Sequence, residues 1–145
     1  MKGYPQWFSA FFVSLVIAAV FCTGVFLIPT ALELRFEWQI PWRLNGSNRI
    51  IVAALHALVG FIVFSLLGAL WSIHMRHEWR LKKNRLSGVL LLSSLIFLMF
   101  SGVGIYYLGS EELMLFASGS HTIMGVVLML VYVWHSVLYK RLNRS

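Results

Sequence analysis

Formally charged residues are confined to a few short segments of the chain, and four stretches between them carry none: Phe8–Leu32, Ile50–Met75, Leu86–Ser110 and Leu113–Tyr139. Each holds 25 to 27 residues, and about 20 residues at ~1.5 Å rise cross a bilayer core. The pattern predicts an all-α fold, an integral membrane four-helix bundle forming a single membrane domain over residues 1–145. The four spans nearly use up the chain, so no separate soluble domain is expected.

Composition agrees: 59% of the 145 residues are hydrophobic and 12% charged, with a mean hydropathy of +0.80, far from the makeup of a soluble domain. The first stretch is too long for a signal-peptide core, and no small-x-small cleavage site follows it before Pro29, so it reads as a retained helix. A single cysteine, Cys22, excludes an internal disulfide, covalent haem attachment through Cys-x-x-Cys-His and a four-cysteine iron–sulfur site. The net charge of +7 points to topology rather than nucleic acid. Lys2, Arg76, Arg80, Lys82, Lys83, Arg85, Lys140, Arg141 and Arg144 fall on one side, nine of the twelve basic residues. The other side has Arg35, Arg43 and Arg49 with Glu33, Glu37, Glu111 and Glu112. Basic residues collect in the cytoplasm, so the expected topology is N-in and C-in.

The connection from Glu33 to Arg49 mixes charges with Phe36, Trp38, Ile40, Pro41 and Trp42; it is expected to lie along the outer interface, where tryptophan is at home. The other two connections are short, which makes neighbouring helices antiparallel and the second and fourth spans parallel. Those two spans echo one another. One reads His56-Ala-Leu-Val-Gly60 and ends Trp71-Ser-Ile-His74; the other reads His121-Thr-Ile-Met-Gly125 and ends Trp134-His135.

Ionisable side chains within hydrocarbon are costly and point to function. His121 and His135 are 14 positions apart, within about 40° of one face and ~21 Å apart along the axis. His56 and His74 are 18 positions apart, five whole turns and ~27 Å. Set side by side, the two spans bring His56 level with His121 near the outer surface and His74 roughly level with His135 near the inner one. Imidazole is an axial ligand for haem iron, and facing helices of a bundle are a place to build such a site. Each pair is thus a candidate clamp for one haem b, with iron held by His56, His74, His121 and His135. Gly60 and Gly125, one turn from the outer histidines, leave room for the macrocycle. His77 is an alternative inner ligand to His74. Arg43 and Arg49 outside, and Arg76 or Arg80 inside, are placed by depth to pair with propionates. The competing explanation is that the histidines only brace the bundle.

With His121-x13-His135 on the last span and a histidine and glycine at the outer end of an earlier one, the sequence resembles the bacterial membrane di-haem cytochrome b proteins over Ile50–Tyr139. That group includes the cytochrome b subunits of formate dehydrogenases and hydrogenases, and superoxide oxidase. The resemblance implies a multi-pass protein of the bacterial inner (cytoplasmic) membrane with two b haems, exchanging electrons between quinone and a partner redox subunit or c-type cytochrome. Two features depart from the group. The first span has no histidine, and His56-x17-His74 is four residues longer than x13, with Leu70 in the shorter register. The pairing of the second and fourth spans is similar to the haem core of quinol–cytochrome c reductase cytochrome b. The expected function is a membrane b-type cytochrome in an electron-transport or respiratory chain. The alternative is a haem-free membrane scaffold or assembly subunit of a larger complex.

Overall fold

The computed structural model describes residues 10–71, 76–80 and 85–142, and the side chains of these except residues 10, 77, 78 and 138–142. The described residues form α1 (Ala10–Phe36), α2 (Gly46–Leu70), the single-turn α3 (Arg76–Arg80), α4 (Arg85–Tyr107) and α5 (Glu111–Leu142). α1, α2, α4 and α5 are long and apolar enough to cross a membrane. The fold is the all-α four-helix bundle that the charge-free stretches predict, and the chain is a multi-pass membrane protein.

Hydropathy places the helix ends less well than their number. α1 runs four residues past Leu32 because its backbone keeps its own hydrogen bonds until a stop motif ends it. Glu37 takes a left-handed conformation (φ 56°), its N–H donates to the Glu33 carbonyl at 3.1 Å, and the Trp38 N–H reaches back to Leu32 at 3.4 Å, a helix-closing arrangement. The outer connection therefore narrows from the expected 33–49 to residues 37–45. Glu33 through Phe36 belong to α1, and Gly46 through Arg49 to α2. Arg43 folds back from the loop to pair with Glu33, while Trp38 and Trp42 stay exposed, as interfacial tryptophans do.

α5 starts two residues before Leu113. Ser110 Oγ accepts the Leu113 N–H at 3.3 Å, and Glu111 and Glu112 lie in the first turn, where the helix dipole favours negative charge. At the inner end Arg85 donates to the Trp79 carbonyl at 2.8 Å and lies 5.0 Å from the centre of that indole, a cation–π contact that ties α3 to the start of α4.

Packing follows two antiparallel hairpins, α1 with α2 and α4 with α5; the hairpins meet through α1 against α5 and, more slightly, α2 against α4. α2 and α5 thus stand at opposite corners of the bundle rather than side by side, and side chains from them meet at its centre. The closest helix pair, α4 with α5, owes its approach to small residues. Ser87, Ser94 and Ser101 recur every seven positions and are all buried, as are Ala117 and Ser118 on α5, and small residues let helix backbones approach closely in membranes. Large apolar side chains such as Phe61, Phe100, Phe116 and Leu130 point outward, the inverse of a soluble core and the arrangement that lipid contact requires. Ser14 and Tyr132 hydroxyls, 2.6 Å apart, bridge α1 and α5. Where α2 and α4 touch least, an apolar groove of about 630 Å³ opens among Phe64, Trp71, Leu92 and Ile96.

Candidate functional site

At the centre of the bundle, in the half nearer the 37–45 connection, His56 of α2 meets His121 of α5 with ring centroids 6.2 Å apart and planes at 77°. Each ring is held by the helix preceding it in its own hairpin, and both are held in the same way. His56 Nδ1 lies 3.0 Å from Thr23 Oγ1 and 3.1 Å from the Val20 carbonyl. His121 Nδ1 lies 3.0 Å from Ser101 Oγ.

These contacts decide which nitrogen carries the proton. Thr23 has one hydroxyl proton, and it goes to the Ala19 carbonyl at 2.8 Å or that of Val20 at 3.0 Å, neither of which can donate. Toward His56 the hydroxyl therefore accepts, as does the Val20 carbonyl, so Nδ1 is the protonated nitrogen. Ser101 Oγ can likewise pass its proton to the Leu98 carbonyl at 3.3 Å, which leaves its lone pairs facing His121 Nδ1. With Nδ1 protonated each ring keeps an Nε2 lone pair, and no hydrogen bond to either Nε2 occurs among the described residues. An imidazole whose Nδ1–H is fixed by a carbonyl or hydroxyl is the usual form of a histidine that ligates a metal through Nε2.

Each hydroxyl is followed by a glycine that backs the ring. A Cβ at Gly24 would stand 3.1 Å from His56 Cε1, and one at Gly102 would stand 3.3 Å from His121 Cε1. Hydrophobic spacing does not reveal these residues. The signal in the sequence is a hydroxyl–glycine pair, Thr23-Gly24 and Ser101-Gly102, on the helix preceding each histidine helix. At Gly60 and Gly125, by contrast, an added Cβ would meet no atom within 4 Å; these two glycines face open space rather than the rings.

Deeper in the bundle, Ser87 Oγ lies 2.8 Å from His135 Nδ1. Ser87 and Ser101 thus hold the two α5 histidines from one seam of α4. His74 lies outside the described residues, as does the side chain of His77 on α3, so the expected inner pairing falls there too. Of the arginines placed by depth, Arg43 is engaged with Glu33. Arg49 is half-exposed in the first turn of α2, and Arg76 and Arg80 are exposed on α3.

Among the described residues, no three His, Cys, Asp or Glu side chains gather to hold a bare metal ion. Two imidazoles with Nε2 lone pairs suit a metal that already has its equatorial ligands. No family model, curated protein or solved structure matches the chain.

Proposed function

We propose that this protein is a transmembrane b-type cytochrome that carries electrons between the quinone pool and a partner redox subunit or c-type cytochrome. It lies in the bacterial inner membrane with both ends in the cytoplasm. His56 and His121 hold the outer haem, and His135 with His74 holds an inner one. One observation carries the reading: two histidines from opposite corners of a membrane bundle meet at its centre with Nδ1 tied back and Nε2 unused. An added Cβ at Gly60 or Gly125 would meet no atom within 4 Å, so neither position obstructs a planar group beside it.

Bound there, haem iron supplies a one-electron ferric–ferrous couple. The chain's own residues fix the ligand tautomer, hold the rings from behind and surround the site with apolar side chains that limit water. The nine-to-three distribution of basic residues supports the orientation. Absorption spectroscopy and a pyridine haemochrome assay on freshly purified protein test the reading: low-spin bis-imidazole spectra and about two b haems per chain are expected.

The rival reading, a haem-free scaffold, draws on the same bonds, because a histidine bonded to a neighbouring helix through Nδ1 is also what bracing requires. It predicts no Soret band, and that result would sink the cytochrome.

A further inference from the structure

Thr23 and Ser101 have one local arrangement on two unrelated stretches of helix. Each hydroxyl oxygen lies 3.0 Å from a histidine Nδ1, and each can pass its own proton to the carbonyl three residues back, at 3.0 Å on Val20 and 3.3 Å on Leu98. Each also precedes a glycine lying against the same ring. Plain helix adhesion needs a hydrogen bond somewhere along a seam. It does not need the same hydroxyl–imidazole contact, backed by the same glycine, on both members of a facing pair.

From this duplication we infer that Thr23 and Ser101 are positioning residues that set the redox potential of the His56–His121 centre, an inference that rests on the cytochrome reading. A hydroxyl that has committed its proton to a carbonyl offers only lone pairs to the ring. The Nδ1–H it accepts is polarised, the imidazole becomes more basic, and Nε2 becomes a stronger donor to iron. A stronger donor favours the ferric state over the ferrous, so the pair holds the potential low. The Val20 carbonyl, 3.1 Å from His56 Nδ1, stays when the Thr23 hydroxyl is removed. That ring then keeps its tautomer and loses one of two acceptors, which makes the effect graded.

The experiment compares the full chain with Thr23→Val, Ser101→Ala and the double variant, each assayed for haem content and for midpoint potential by redox titration. Near-normal haem content and a raised potential are expected. If one hydroxyl favours ferric over ferrous binding tenfold, its loss raises the potential by about 59 mV, and the two increments add because they act on separate ligands. Thr23→Ser, which keeps the hydroxyl, retains the wild-type value. Should Thr23→Val fail to load haem, Thr23→Ser and Ser101→Ala still decide the point. A second readout needs no haem: ring 15N shifts of the haem-free chain are expected to show protonated Nδ1 on His56 and His121, and protonation at Nε2 instead overturns the inference. Haem-loaded variants with unchanged potential overturn it alone and leave the cytochrome standing, whereas a wild-type chain that never carries haem removes both.

Discussion

A Cβ on Gly24 would stand 3.1 Å from Cε1 of His56, the ring carbon between the nitrogen tied to α1 and the nitrogen left with its lone pair. The neighbour is a side-chain ring rather than backbone, so a methyl group moves it by a few tenths of an ångström. Gly24→Ala is therefore expected to weaken outer-haem retention on the order of tenfold, in the range found when groups supporting a metal ligand are disturbed. Gly102→Ala, at 3.3 Å from His121 Cε1, has a smaller effect. Gly24→Leu is expected to abolish the outer site. Haem per chain measures all three, and normal loading of Gly24→Leu would show that the ring is not confined from this side.

Glu37 adopts φ 56° at the end of α1, a conformation that costs a non-glycine residue about 1 kcal/mol or more. Part of that gain is offset by the greater freedom of glycine in the unfolded chain. Glu37→Gly is thus expected to stabilise the protein by about 0.5 kcal/mol, seen as a higher thermal midpoint in detergent with haem content unchanged. A lower midpoint would mean that the carboxylate makes a contribution beyond the backbone turn.

The spans were legible because charge is excluded from hydrocarbon over lengths that only a crossing helix needs. Their ends were not, because Glu37 and Ser110 act through local hydrogen bonds to which hydropathy is blind. Helix adjacency was legible only for consecutive helices, since a short connection says nothing about the next neighbour; α2 and α5 accordingly lie on a diagonal and not side by side. His56 and His121 stood out by depth and face. Their supports, Thr23 and Ser101, did not, nor did Ser87 beside His135, because all three are uncharged and lie on helices without histidine. Gly60 and Gly125 drew notice by their phase on the histidine helices, whereas the glycines that touch the rings, Gly24 and Gly102, belong to the neighbouring helices. The seven-residue recurrence of Ser87, Ser94 and Ser101 was the readable sign of the seam that holds both α5 histidines.

Orientation rests on the basic bias, to which connections shorter than about 60 residues respond strongly. Reporter fusions after Arg85 and after Ser145 are both expected to report cytoplasm. An external signal at either position would place the His56–His121 pair near the cytoplasmic face and reverse the assignment of outer and inner haem.

Ligand substitutions separate the two haems, because the α5 histidines are held independently. If the pair holds haem as proposed, His56→Ala or His121→Ala is expected to cost one haem per chain while the other keeps its low-spin spectrum. His135→Ala is expected to do the converse. Ser87→Ala leaves the imidazole in place and deletes the hydroxyl 2.8 Å from His135 Nδ1; it should weaken retention of the inner haem about 10- to 100-fold without touching the outer one. His74 is the expected second inner ligand, because five whole turns return it to the face of His56. His77 lies a further three positions along, so serving in its place would require the inner end of α2 to tilt or slide. Low-spin spectra at both sites in His74→Ala, together with an emptied inner site in His77→Ala, would show that His77 is the ligand and that the helix makes that displacement.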